Sequence, residues 1–151
     1  MKNIALVALL ISLSHYAFCN EYSDTLLRAE KGDVDAQFDI ATMYDLGEGV
    51  ERDLVKAAKW YRQAAEQGEV AAQYNLAIMY DMGEGVTQDI VQAYAWMSAA
   101  EMFGYQGAKE SSKDFLVRMT PEQKTQGEAL VIKIVQRITN KDDLSPMLKK
   151  E

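Results

Sequence analysis

Residues 32–67 read GDVDAQFDIATMYDLGEGVERDLVKAAKWYRQAAEQ, and residues 68–103 read GEVAAQYNLAIMYDMGEGVTQDIVQAYAWMSAAEMF. Laid over each other without a gap, they agree at 17 of 36 positions, where unrelated segments would agree at about 2. The chain therefore repeats itself. The shared frame runs Ala36-Gln37, Ala41, Met43-Tyr44-Asp45, Gly47-Glu48-Gly49-Val50, Asp53, Ala57, Trp60 and Ala64. It returns at Ala72-Gln73, Ala77, Met79-Tyr80-Asp81, Gly83-Glu84-Gly85-Val86, Asp89, Ala93, Trp96 and Ala100. Glycines at Gly32, Gly68 and Gly104 mark the period.

Each unit reads as two helices. Ala36, Ile40 and Tyr44 fall at i, i+4 and i+8, an apolar helical stripe that Ala72, Leu76 and Tyr80 repeat. Gly-Glu-Gly then interrupts, and Gly47 and Gly83 are suited to the left-handed conformation that ends a helix. Asp53 and Asp89 are expected to cap the second helices, Asp89 with Gln92 in a capping-box-like arrangement. Ala57, Trp60, Tyr61 and Ala64 make the next stripe, copied as Ala93, Trp96, Met97 and Ala100. The alanines let backbones approach closely, and Trp60 and Trp96 are expected in the core. One hairpin cannot bury both stripes, but stacked hairpins can, which predicts an all-α solenoid.

The flanks complete the stack. Residues 20–31 supply an N-terminal capping helix, 32–67 and 68–103 are the two repeats, and 104–139 form C-terminal capping helices. Ala108, Ser112, Phe115, Leu116 and Met119 keep helical spacing where a third first-type helix belongs. Thr120-Pro121-Glu122 opens a last helix, with Pro at its tolerated first position, and Leu130, Ile134 and Ile138 give it a stripe. Residues 140–151 are read as a flexible polar tail.

The first 19 residues have a different character. Lys2 is followed by an uncharged, almost wholly apolar run over 4–13 and then by Ala17-Phe18-Cys19. That order predicts a secretory signal peptide cut after Cys19. The run is too short for a membrane anchor, and Phe18 argues against a lipoprotein signal. Cleavage would remove His15 and Cys19, the one histidine and the one cysteine of the chain, and take the net charge from −7 to −8. Without them, no thiol or imidazole remains for a zinc site, a catalytic triad or a disulfide. The acidic balance argues against nucleic-acid binding, which needs a basic surface.

The segment Ala72 to Tyr80, followed by Gly83-Glu84-Gly85-Val86, Asp89, Ala93 and Trp96, resembles the Sel-one-like repeat, a relative of the tetratricopeptide repeat with a longer inter-helix loop. The resemblance covers roughly residues 32–108, with weaker support over 21–31. Arg118 to Gln123 is similar to a C-terminal ending common among bacterial members. The resemblance implies a right-handed α-α superhelix that scaffolds protein–protein contacts, and many bacterial members are exported. Some exported relatives pair cysteines within each repeat and have been proposed to bind or hydrolyse β-lactams. Those cysteines do not occur here, so that activity is not carried over.

The resemblance also implies that the first helix of each pair lines a concave surface. Its residues would be Asp35, Phe38, Asp39, Thr42 and Asp45, then Ala71, Tyr74, Asn75, Ile78 and Asp81. The competing reading is a plain solvated helix face. Phe38, Tyr74 and Ile78 favour binding, because aromatic anchors among polar groups build hot spots. The surrounding acids would attract a basic segment of a partner protein or peptide. The two Asp-x-Gly-Glu-Gly loops each offer two carboxylates, too few for a calcium loop. Glu48 and Glu84 are 36 residues apart, and no spacing argument pairs them for acid–base work. Met102 and Phe103, which replace Glu66 and Gln67, read either as packing under the last helix or as an extra contact patch. The expectation is an exported, periplasmic or secreted, non-enzymatic adaptor without metal, cofactor or stable membrane span. A secreted effector, a periplasmic enzyme inhibitor and a hydrolase using carboxylates stand as alternatives.

Overall fold

The computed structural model describes residues 21–141, so the leader reading and residues 142–151 lie outside the described residues. Among the described residues there are seven helices and no strand. The first, α1, occupies 21–30. It is followed by α2 (Val34–Leu46), α3 (Leu54–Ala65), α4 (Val70–Met82), α5 (Ile90–Met102), α6 (Ala108–Arg118) and α7 (Pro121–Lys141). Consecutive helices pack antiparallel into hairpins, and the hairpins stack as a right-handed α-α superhelix. Helix α7 runs through Lys141, two residues past the expected end of order at 139.

The ends of the helices follow from single residues. Asp33 Oδ1 accepts the Ala36 amide at 3.0 Å, and Asp53 Oδ1 accepts that of Lys56 at 3.0 Å. Asp89 Oδ1 takes both Val91 N and Gln92 N, at 2.9 and 3.1 Å. The expected reciprocal bond from Gln92 is not needed, because the Asp89 amide already donates to the Tyr80 carbonyl at 3.0 Å. Its counterpart, Asp53 N to Tyr44 O at 2.9 Å, closes the first loop in the same way. Thr120 and Gln123 form a full capping box, with bonds of 2.9 and 3.3 Å in the two directions.

The Gly-Glu-Gly loops do more than end helices. Gly47 and Gly83 cap α2 and α4 at φ 73° and 72°. Gly85 lies against the start of α3, where an added Cβ would stand 2.0 Å from the Leu54 carbonyl oxygen. The loop of the second repeat is thus a packing surface for the first.

Alanines fill the contact between helices. Ala36, Ala41, Ala57, Ala64, Ala72, Ala77, Ala93 and Ala100 are completely buried, around the larger Ile40, Tyr61, Leu76 and Met97. Two buried amides tie successive units together. Gln37 Nε2 donates to the Ala29 carbonyl at 3.2 Å and Gln73 Nε2 to the Ala65 carbonyl at 3.3 Å. Gln67 donates to Gln37 Oε1 at 2.7 Å. No donor among the described residues reaches Gln73 Oε1, because Phe103 stands where the repeat would put that second glutamine.

The third unit keeps the packing but changes its chemistry. Ser112 replaces Ile40 and Leu76, Glu101 replaces Ala29 and Ala65, and the two meet in a 2.5 Å hydrogen bond. Ala108, Phe115 and Met119 stay buried. Helix α7 then packs closely on α5. Gly127 makes that closeness possible, since a Cβ there would be 2.6 Å from the Tyr94 ring. The two tryptophans consequently differ. Trp96 is 6% exposed beneath α7, while Trp60, expected in the core, is only half-buried. Met102 is 63% exposed, so it is not packed under the last helix, and only Phe103 joins the core margin.

Candidate functional site

Helices α2, α4 and α6 share one side of the stack. Thr42, Asp45 and Asn75 converge there on a residue from α3. The Tyr61 ring is 1% exposed, yet its hydroxyl is 3.2 Å from Thr42 Oγ1 and also meets Asn75 and Asp45. Burial pushes the Tyr61 phenol above its ordinary range, so it remains a neutral hydrogen-bonding group. Phe38 packs on the same ring, centroids 5.7 Å apart, and its carbonyl accepts from Thr42 Oγ1 at 3.0 Å.

A second cluster lies one unit along. Tyr74 is stacked on Tyr105, with centroids 4.5 Å apart and planes 23° apart. Beyond it, Ile78 and Asp81 line a shallow groove with Glu110, Ser111, Asp114 and Phe115. Asp81 is not free to attract a cation, because Arg118 holds it with bonds of 2.6 and 3.3 Å and also reaches Asp114 at 3.3 Å.

The other acids are more open. Asp35 and Asp39 are exposed on α2. The Asp39 carboxyl is shifted upward from its ordinary value, first through partial desolvation against the helix. Arg28 opposes that rise, and Asp35, Asp33 and Glu21 add to it. Asp45 is 3.9 Å from the Arg52 guanidinium, a loose contact. Ala71, also expected on this face, is half-buried at the start of α4. Glu48 and Glu84 are exposed loop residues. No group of three or more His, Cys, Asp or Glu is placed to hold a metal ion among the described residues. Nor is any helix there long and apolar enough to cross a membrane.

Leaving Ala71 aside, the expected contact residues fall into neighbouring groups along this side of the stack. Phe38, Thr42, Asp45 and Asn75 gather around Tyr61, Tyr74 pairs with Tyr105, and Ile78 and Asp81 border the α6 groove. Asp35 and Asp39 flank the first cluster's helix. Sequence reasoning missed Tyr61 as a face residue, and it missed Tyr105, Glu110, Ser111, Asp114 and Arg118. One signal was available. The period of 36 carries 38 to 74 to 110, 39 to 75 to 111, and 42 to 78 to 114.

The family model described as Sel1 repeat matches residues 34–69 and 70–102. A crystal structure of a protective antigen present in uropathogenic Escherichia coli strains, displaying an SLR fold, superposes with a TM-score of 0.76 at 32% identity. It covers 86% of this chain and 28% of the antigen. A Sel1 repeat protein from Oxalobacter formigenes gives a TM-score of 0.62 at 27% identity, over 68% of this chain and 46% of that one. The chain thus spans less than half of either structure. No curated protein sequence matches it.

Proposed function

The chain is a Sel1-repeat protein, a family whose repeats generally mediate protein–protein contacts, and from that premise we propose that it is an exported adaptor. It holds a partner protein or peptide on the α2/α4/α6 face, the side that the family resemblance makes concave. The observation that carries this reading is the pairing of half-buried aromatics with open carboxylates. Phe38 lies on Tyr61 and Tyr74 on Tyr105, while Asp35 and Asp39 stand exposed on α2. Rings fixed by their neighbours bind at little entropic cost, and acids at the margin select a basic segment. Export rests on Lys2, the apolar run over 4–13 and the small residues before position 20.

The test is capture of partners from the envelope fraction by the mature protein. Phe38→Ala with Tyr74→Ala should abolish capture while the helical circular dichroism stays unchanged. Wild-type binding should also weaken as salt is raised. Undiminished capture by the double variant would reject this face. N-terminal sequencing of exported material should find a start at residue 20.

A further inference from the structure

The opposite side of the stack carries a feature that partner binding on α2/α4/α6 does not use. Helices α3, α5 and α7, with Tyr80 of α4, border an open cleft of about 180 Å³. Arg62, Lys133 and Arg137 line it, against the single carboxylate of Glu66. Arg137 reaches Glu66 at 3.3 Å, but neither Arg62 nor Lys133 has an ion-pair partner among the described residues. Three cations gathered around one acid repel each other, and in a chain of net charge −7 acids to disperse them are plentiful. Within the stack Arg137 is used by Glu66 and Arg62 by the Tyr80 hydroxyl, while no ion pair among the described residues uses Lys133.

The repeat itself does not require them. Arg62 becomes Ser98 one unit later, and Lys133 and Arg137 lie outside the repeats. The Tyr80 hydroxyl, which receives Arg62, has a counterpart in Tyr44 that is satisfied by Tyr22 at 2.6 Å. Arg62 is nevertheless held in place, over the Tyr80 ring at 5.6 Å and bonded to its oxygen. Arg62 so fixed lines the cleft.

We propose that this cleft is a binding site for a carboxylate carried on a short apolar stem. The Arg62 and Arg137 guanidiniums match the planar, two-oxygen shape of a carboxylate, and Lys133 adds a point charge. Trp96 and Ile134, 6% and 7% exposed, form apolar walls suited to methylene groups. The site is independent of the α2/α4/α6 reading. A free dicarboxylate and an acidic side chain of a polypeptide present the same chemistry, and the experiment separates them.

The test is titration of the ¹⁵N-labelled full chain with glutarate at constant ionic strength, followed by the Trp96 indole N–H signal. A saturable shift is expected, and Lys133→Gln and Arg62→Gln should each weaken it about tenfold. Lys133 is exposed and unpaired among the described residues, so its variant tests the site even if Arg62→Gln perturbs Tyr80. Phe38→Ala with Tyr74→Ala should leave glutarate binding unchanged. In a second arm, a blocked alanine peptide with one glutamate replaces glutarate. Tighter binding of the peptide assigns a polypeptide source, and tighter binding of glutarate a small-molecule source. Non-saturable shifts, equal shifts with inorganic phosphate, or full binding by Lys133→Gln would overturn the proposal.

Discussion

Two glycines separate conformational cost from steric cost. Gly32 and Gly85 both sit at positive φ, 92° and 68°. Nothing lies within 4 Å of a Cβ added to Gly32, whereas one added to Gly85 would meet the Leu54 carbonyl oxygen at 2.0 Å. An alanine at 32 pays only for the left-handed backbone, about 1–2 kcal/mol. An alanine at 85 must also push the second loop off α3, which brings the loss to about 3 kcal/mol or more. Urea denaturation of Gly32→Ala and Gly85→Ala should therefore differ clearly in midpoint. Equal midpoints would mean that the loop does not bear on the neighbouring repeat.

At the scale of elements, the two tryptophans make the sharper comparison. They hold the same place in the repeat, yet Trp96 is buried beside Leu130 and Ile134 of α7, and Trp60 is only half-buried. Trp96→Ala should cost roughly 3–5 kcal/mol, the range for deletion of a buried aromatic. Trp60→Ala should cost about half as much, since its ring is already partly in water. Thermal melts of both variants check this, and a larger loss at Trp60 would contradict the covering role of α7. The helix pattern itself was legible in the sequence, because its causes are local. Asp33, Asp53 and Asp89 cap, Gly47 and Gly83 terminate, and the apolar stripes have one period. Burial of Trp60 against Trp96 was not legible, because the same letter in the same frame says nothing about a helix arriving from 30 residues downstream. The proposed contact face was half legible. Phe38 and Tyr74 stand out in the repeat frame, but the Tyr61 hydroxyl reaches the face from a residue whose ring belongs to the core. Glu110, Ser111 and Asp114 continue the face in a unit whose other positions have drifted. Arg118 was hidden for a different reason, since it neutralises Asp81 only when α6 lies beside α4.

Across the whole molecule, the two ends of the stack are closed differently. At one end α7 lays a 21-residue helix over α5. At the other, α1 is joined to α2 through two phenols, with Tyr22 and Tyr44 oxygens 2.6 Å apart and rings edge to face at 6.0 Å. Burial, followed by the Tyr44 hydrogen bond and its charge, pushes the Tyr22 phenol up to about 12, with Lys56 opposing. A raised phenol pKa means that the folded state keeps a proton the unfolded chain gives up near pH 10. The stability from this contact is complete below pH 10 and is lost as pH rises through about 12. Alkaline loosening should therefore begin at the α1 end, while α5, packed against α4, α6 and α7, stays protected. Thermal melts from pH 9 to 12 should fall less steeply for Tyr22→Phe than for wild type. Tyr61, also raised by burial, keeps some slope in that variant. An identical pH slope with and without the Tyr22 hydroxyl would show that the α1 end is not held through this pair.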